Sequence, residues 1–132
     1  MQRRALNKYH SGGLWTNSCC SHPRNEETLL EAGKRRLQEE MGFSTTLERT
    51  FSFIYKAELD NDLIEHELDH ILIGYYNDNP VPNPSEVCDW QYMDLDFLAQ
   101  DVQENPENYT VWFLKVFDRV KNRFLQENLT NE

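Results

Sequence analysis

Residues 15–23 read Trp15-Thr16-Asn17-Ser18-Cys19-Cys20-Ser21-His22-Pro23, a run that passes from apolar to polar and sets two cysteines and a histidine just ahead of a helical pattern. Its first residues are typical of a short strand, since they form an apolar segment directly after the Ser11-Gly12-Gly13 turn. The polar residues that follow end at a proline, which is typical of a loop. We predict that the run is an active-site strand and loop.

The segment after this run has the start and stop signals of a helix over residues 26–41. Asn25 can serve as the N-cap, and Glu26 and Glu27 suit the positive end of a helix dipole. Gly42 is a favourable C-terminal stop because glycine adopts the left-handed conformation at low cost.

Apolar residues at spacings of three and four predict the buried stripe of this helix: Leu30, Gly33, Leu37 and Met41. Arg36 and Glu40 flank the stripe, whereas Arg35 and Glu39 are predicted to point away from it. Gly33 lowers helix propensity, so we expect close packing against a sheet at that position to compensate.

Two strands joined by a tight turn are predicted in the middle of the chain. Residues 51–56 alternate between aromatic and other side chains, which is the period-two pattern of a strand. Residues 60–62 form the turn, and the return strand is expected over about residues 63–76. Glu65, Glu67 and Asp69 follow one another at intervals of two residues, so their carboxylates are predicted to project from the same face.

The remaining pattern completes an α/β fold. A further strand is predicted over about residues 87–93, Asp94 can cap a short helix, and Thr110 can cap a final helix. Helices interspersed with strands that include an antiparallel pair predict a mixed β-sheet flanked by helices. The length of 132 residues predicts one domain over residues 1–132, and the abrupt start leads us to expect that the first strand of the sheet is missing.

The balance of acidic and basic residues limits the kinds of partner that the chain can bind. The chain has 13 basic and 23 acidic residues, a formal net charge of -10 at pH 7. This charge argues against general electrostatic binding of nucleic acid or of an anionic membrane. We therefore expect a small-molecule partner, and any anionic group on it must be met by local clusters of basic residues.

Cysteine usage predicts the compartment. Three cysteines without a signal peptide or a long apolar run indicate free thiols in a reducing cytoplasm rather than a disulfide framework. We also expect a monomer.

Two sets of residues could carry chemistry. Cys20 and His22 are either a buried thiol with a backbone-bonded histidine, or a reactive pair. Glu65 and Glu67 precede a strongly apolar part of their strand, which predicts partly buried acids. Buried carboxylates need a cation or a proton, so the pair indicates either a metal site with His22 as a third ligand or a general acid of raised pKa.

Five residues have the spacing of the Nudix box, a loop and helix that hold divalent metal on diphosphate substrates: Glu27, Arg35, Glu39, Glu40 and Gly42. Two positions depart from the pattern of that family. Ser21 replaces the usual glycine, and Arg36 replaces the glutamate that follows the arginine of the motif. A cationic Arg36 is better suited to holding phosphate than magnesium.

This departure, the run at residues 15–23 and Glu65-His66-Glu67 together resemble the type I isopentenyl-diphosphate isomerases over nearly the whole chain. The resemblance implies conversion of isopentenyl diphosphate to dimethylallyl diphosphate, in which one proton is added and another removed. It assigns Cys20 and Glu67 as the acid and base, Trp112 as the aromatic that stabilises the carbocation, and Tyr55 as a residue that assists Glu67 by hydrogen bonding.

The resemblance also implies the binding residues. The substrate diphosphate is expected to contact Arg4, Lys8 and Arg36, together with a Mg²⁺ ion held by Glu40. A second divalent metal, which could be Zn²⁺, Mn²⁺ or Mg²⁺, is expected on three ligands: His22, Glu65 and Glu67.

One departure from the family concerns this second metal. The family takes two further histidine ligands from an N-terminal segment that this sequence lacks, and His10, His66 and His70 do not match them. We therefore expect the chain alone to be weakly active or inactive. The alternatives are a Nudix hydrolase of a diphosphate substrate, against which Arg36 and Cys20 count, and a non-catalytic diphosphate-binding relative.

Overall fold

A computed structural model describes residues 1–130, with side chains through residue 126. Of the predicted domain over residues 1–132, the last two residues lie outside this description. The elements in chain order are five strands, three α-helices and one short 3-10 helix: β1 (Gln2–Arg4), β2 (Trp15–Thr16), α1 (Leu29–Met41), β3 (Leu47–Glu58), β4 (Ile64–Gly74), β5 (Val87–Trp90), α2 (Leu95–Glu104), the 3-10 turn Pro106–Asn108, and α3 (Val111–Thr130).

The strands form two antiparallel sheets. One contains three short strands in the order β2-β1-β5, and the other is the long hairpin of β3 and β4. Helices pack against both sheets, which confirms the predicted α/β class. The pairing of β1 with β5 shifts in register between Arg3 and Arg4.

Helix α1 begins three residues later than predicted. Thr28, and not Asn25, is the N-cap, and its hydroxyl accepts a hydrogen bond from the backbone N–H of Glu31. Glu26 has a φ of 68°, a left-handed conformation that does not continue into a right-handed helix. Gly42 ends the helix in the left-handed region with a φ of 71°, as predicted.

The inner face of α1 rests on the β3-β4 hairpin at Gly33. A Cβ atom at that position would lie 2.7 Å from Leu72 Cδ1 and 3.0 Å from Leu47 Cδ1, so the glycine is where helix and sheet approach most closely. This confirms the reason given for a glycine inside the helix. The predicted burial of Leu30 is wrong, since its side chain is 41% exposed, and Ala32 is buried instead.

The hairpin keeps its predicted alternation and differs in length. In β3 the side chains of Phe53 and Tyr55 face inward, while the intervening Ile54 is exposed. Strand β3 begins at Leu47, earlier than the aromatic pattern indicated, because the bulge between Arg49 and Phe51 breaks the period of two. Strands β4 and β5 end at residues 74 and 90, before the predicted 76 and 93.

The last two helices begin at the predicted caps. The carboxylate of Asp94 accepts hydrogen bonds from two backbone N–H groups of α2, and Thr110 Oγ1 accepts one from Phe113. Helix α3 contributes Phe113 and Phe117 to a core cluster that includes Leu98 of α2. Within residues 1–130 the structure contains no helix that is long and apolar enough to cross a membrane.

Candidate active site

A cavity of about 860 Å³ opens between the loop after β2, the hairpin and α3. The cavity is lined by all four predicted catalytic residues and by the predicted ligands of the second metal: Cys20, His22, Tyr55, Glu65, Glu67 and Trp112. These residues come from four separate parts of the chain, so the fold brings together what the sequence scatters.

The loop after β2 is held by polar side chains of its own. Asn17 Nδ2 donates to the carbonyl oxygen of Cys19 at 2.7 Å and to Cys20 Sγ at 3.6 Å. Gln2 Nε2 of β1 donates to the carbonyl oxygen of Ser18 at 2.5 Å, which ties the loop to the sheet. These bonds fix the direction in which the Cys20 thiol points.

The Cys20 thiol stays protonated at neutral pH. It has an exposed face, but that face looks into the cavity, where surrounding protein excludes much of the bulk water. Desolvation therefore raises the pKa of Cys20 to about 11, although the hydrogen bond with Asn17 acts in the opposite direction. A neutral thiol in this position can carry a proton to a bound substrate.

The carboxylates of β4 form a group on the cavity side of the hairpin. Burial raises the pKa of Glu67, and a hydrogen bond with Asp69 together with the negative charge of Glu65 raises it further. Burial likewise raises the pKa of Asp69. Such a group favours sharing of protons among its members, which suits acid-base chemistry.

Tyr55 bonds to a different carboxylate from the one predicted. Its hydroxyl donates to Glu65 Oε2 at 2.5 Å, although Tyr55 lies directly opposite Glu67 in the hairpin register. The predicted Tyr55–Glu67 hydrogen bond is therefore wrong. The pKa of Tyr55 is raised by burial and by this bond, so the phenol is a donor across the ordinary pH range.

A second polar cluster, about α1 and β1, contains the predicted diphosphate ligands. Arg36 Nη2 lies 3.1 Å from Glu40 Oε1 and 3.6 Å from Glu86 Oε2. The ammonium group of Lys8 also contacts Glu86. Lys8 and Arg36 thus share the carboxylate of Glu86. A diphosphate can take the place of this carboxylate as the anionic partner of both cations.

Arg4 reaches the cavity from β1. Its Nη2 donates to the carbonyl oxygen of His10 at 3.2 Å, and its guanidinium lies 5.2 Å from the centre of the Trp112 ring. The Nε atom of Arg4 is buried and has no hydrogen-bond partner among the described residues. Arg4 can therefore donate at least one further hydrogen bond to a ligand.

Arg35, which the helical wheel places away from the buried stripe of α1, is partly buried and bound to three neighbours rather than free in solvent. Its guanidinium donates to Glu27 at 2.9 and 3.1 Å, to Glu39 at 3.2 Å, and to the carbonyl oxygen of His22 at 3.2 Å. Arg35 therefore attaches the loop that carries Cys20 to helix α1. The helical wheel does not predict these contacts of Arg35. The spacing of the Nudix box, which includes Arg35, does indicate that this residue belongs to the site.

The residues fit one predicted metal better than the other. Glu40 is 5% exposed, and its Oε2 atom is buried with no partner in the described part of the chain, so a hard cation such as Mg²⁺ suits it. For the second metal, no three His, Cys, Asp or Glu side chains through residue 126 lie close enough together to hold an ion. The set His22, Glu65 and Glu67 stays a prediction.

Three residues at the site were not among the predicted ones: His10, Asp69 and Glu86. Asp69 shares the face of Glu65 and Glu67 by the period of two, as the strand pattern predicts, but no role in the site was predicted for it. His10 and Glu86 lie in irregular segments, where no period predicts the direction of a side chain.

Comparison with known proteins shows two levels of similarity. A family model described as NUDIX domain matches residues 1–114. The chain is 50% identical over 120 residues to "Isopentenyl-diphosphate Delta-isomerase 2" of Aromatoleum aromaticum, covering 91% of this chain and 64% of that protein.

Two further relatives give the same picture. The identity is 52% over 116 residues to "Isopentenyl-diphosphate Delta-isomerase" of Serratia proteamaculans, covering 88% of this chain and 65% of the relative. It is 47% over 127 residues to "Isopentenyl-diphosphate Delta-isomerase 2" of Photorhabdus laumondii, covering 96% and 72%. The chain thus spans about two thirds of the length of these curated relatives.

Proposed function

This chain belongs to the NUDIX domain family and, within it, to the type I isopentenyl-diphosphate Delta-isomerases, and we propose that it converts isopentenyl diphosphate to dimethylallyl diphosphate. The observation that carries the proposal is the pairing of Cys20 and Glu67 in one cavity, both with a raised pKa. The reaction requires one group that donates a proton and one group that accepts a proton. A raised pKa keeps the Cys20 thiol protonated and makes the Glu67 carboxylate a better proton acceptor.

The reaction balances with these two groups. One of them donates a proton to the terminal CH₂ carbon of the alkene, which leaves a tertiary carbocation on the neighbouring carbon. Loss of a proton from the CH₂ group on the other side of that carbon then forms the new double bond. The second residue of the pair accepts this proton, so the substrate gains one proton and loses one.

Trp112 supports the cationic stage of the reaction. Its ring is 7% exposed and lines the cavity, and the face of an indole attracts a nearby cation through its quadrupole. The surrounding apolar side chains of the cavity exclude water, which would otherwise capture the cation as an alcohol.

Binding of the diphosphate is assigned to the basic residues of the second polar cluster and of β1. Arg4, Lys8 and Arg36 supply charge-assisted hydrogen bonds to its oxygens. We propose Glu40 as the protein ligand of a Mg²⁺ ion on the diphosphate, because one of its buried oxygens has no partner among the described side chains. Bound there, the ion would neutralise part of the diphosphate charge.

One NMR experiment in heavy water, with isopentenyl diphosphate and Mg²⁺, tests the proposal on the full chain. We expect deuterium to enter an allylic diphosphate product, at the low rate expected of this chain. Release of inorganic phosphate or diphosphate without allylic product would instead support a hydrolase. Binding without turnover would contradict the proposal and support a non-catalytic diphosphate-binding protein.

A further inference from the structure

His10 lies against two residues of the proposed site. Its ring meets the Trp112 ring edge to face, with centroids 5.8 Å apart and planes at 86°. On the other side, His10 Nε2 lies 3.7 Å from Glu65 Oε1. The imidazole therefore stands between the aromatic wall of the cavity and the carboxylate that accepts the Tyr55 hydrogen bond.

The backbone around His10 is held in one conformation. The next residue, Ser11, is buried and has a φ of 54°, and its N–H donates to both carboxylate oxygens of Asp60 at 3.1 and 3.3 Å. Ser11 Oγ lies 3.2 Å from His10 Nδ1, within hydrogen-bond distance. The tip of the β3-β4 hairpin thus fixes Ser11, and Ser11 fixes the orientation of the imidazole.

A second bond from the hairpin tip supports the same loop. Asn61 Nδ2 donates to the carbonyl oxygen of Tyr9 at 2.7 Å, and Arg4 Nη2 donates to that of His10. These bonds hold the segment close enough for its one imidazole to reach the cavity.

We propose that His10 is a positioning residue of the isomerase site, which fixes the plane of the Trp112 indole and the place of the Glu65 carboxylate. The proposal rests on the proposed function for the meaning of that site. Arg4 lies over the face of the Trp112 ring and His10 meets it edge to face, so together they limit the rotation of the indole. A fixed indole keeps its π face directed at the developing cation.

This role predicts a specific kinetic signature. In the described part of the chain, the imidazole has no hydrogen bond or ion pair with Lys8 or Arg36, and Arg4 bonds to the backbone carbonyl of His10, which any replacement retains. Loss of the imidazole should therefore leave diphosphate binding intact and misplace Trp112 and Glu65. Such misplacement lowers kcat and leaves KM unchanged.

The test compares His10→Ala with His10→Phe and with a matched control, His66→Ala, on the exposed face of β4. For each variant of the chain we would measure kcat and KM for isopentenyl diphosphate. The indole N–H resonance of Trp112, assigned with Trp112→Phe, reports the ring position independently of turnover. Urea unfolding of each variant shows whether it is folded.

We expect kcat of His10→Ala to fall about tenfold or more, with KM within about twofold and a displaced Trp112 resonance. His10→Phe retains an aromatic edge against Trp112, so it should return the resonance towards its native position and recover part of kcat. His66→Ala should change neither quantity. If His10→Ala is unfolded, His10→Phe carries the test, with a native Trp112 resonance and a smaller loss of kcat expected.

An unchanged kcat or an unchanged Trp112 resonance in His10→Ala would overturn the proposal, and so would an equal displacement of that resonance in His66→Ala. Lack of turnover by the unmodified chain would instead overturn the proposed function. The Trp112 resonance would still decide whether His10 positions the indole.

Discussion

The hydroxyl group of Thr110 donates a 2.9 Å hydrogen bond to the hydroxyl oxygen of Thr16, and these side chains are 0% and 2% exposed. The backbone N–H of Thr110 also donates to the carbonyl oxygen of Trp15 at 3.0 Å. Thr110 starts α3, which carries Trp112, and Thr16 ends β2, which precedes the Cys20 loop. This buried link therefore sets the position of the aromatic wall relative to the thiol.

Replacement of Thr110 by Val should destabilise the protein by about 1–2 kcal/mol, because it removes a buried hydrogen bond and leaves a polar atom of Thr16 short of a donor. Urea unfolding of the two proteins measures the difference. Thr46→Val, the same change at an exposed position, should lie within about 0.5 kcal/mol of the native protein. Equal stability of the Thr110 and Thr46 variants would show that the buried bond contributes nothing.

Gly42→Ala should be more damaging than Gly33→Ala. At Gly42 the φ is 71° and a Cβ atom would lie 2.2 Å from the backbone oxygen of Val81, which cannot easily move, so we expect a cost of at least about 2 kcal/mol.

At Gly33 the added atom meets only the ends of two leucine side chains, and alanine gains about 1 kcal/mol in helix propensity. Thermal unfolding should therefore give a clearly lower midpoint for Gly42→Ala. The opposite order would contradict the proposed cause.

The ion pair of Glu27 with Arg35 predicts a pH dependence of stability. Hydrogen bonds from Arg35, aided by one from the backbone of Arg24, lower the pKa of Glu27 from 4.5 to about 2. Above about pH 4.5 the carboxylate is ionised in both the folded and the unfolded chain, and the pair contributes fully. As the pH falls from 4.5 to 2, the unfolded chain binds the proton first and this contribution is lost.

Glu27→Gln should therefore lower the free energy of unfolding at pH 7 and flatten its fall between pH 4.5 and 2. Urea unfolding at a series of pH values measures both effects. Glu31→Gln, which changes an exposed carboxylate in the first turn of α1, should preserve the slope. A Glu27→Gln profile parallel to that of the native chain would exclude the proposed linkage.

The parts of the fold that were predicted correctly are those that depend on residues close together in the sequence. The caps Asp94 and Thr110 and the stop at Gly42 act within one turn, and all three were predicted correctly. The start of α1 was missed because Glu27, which suits a first helical turn, is used by Arg35 eight residues later. A tertiary ion pair of this kind leaves no trace in local propensity.

Site residues could be predicted where they lie on a periodic strand or in a family motif. They could not be predicted where a loop is held by a distant part of the chain. The period of two placed Glu65 and Glu67 on the cavity side, and the resemblance named Cys20 in a loop without periodicity. The place of His10 depends on Asp60, which holds Ser11 from the tip of a hairpin 49 residues further along the chain. Such a contact between two turns follows from the tertiary fold alone.

Arg36→Gln should weaken diphosphate binding by about tenfold to a hundredfold, because a charge-assisted hydrogen bond contributes roughly 1.5–3 kcal/mol. The loss should appear as a higher KM for substrate and as weaker binding of inorganic diphosphate in calorimetry. Arg24→Gln is the control, since its side chain is 69% exposed and lies 3.9 Å from Glu39. An unchanged KM for Arg36→Gln would remove this residue from the substrate site.

Cys20→Ser should lower kcat by about a hundredfold to ten-thousandfold, the range that acid-base groups contribute. A serine hydroxyl is a far weaker acid than a thiol, so it cannot exchange the proton even when its position is retained. Cys88→Ser is the control, because Cys88 is an exposed free thiol on β5 whose bond to the carbonyl oxygen of Arg4 a hydroxyl can also make. Deuterium incorporation followed by NMR separates the two variants. If Cys20→Ser isomerised the substrate at the native rate, the proton would have to come from another group, and Glu67 with its neighbour Asp69 would be the first to test.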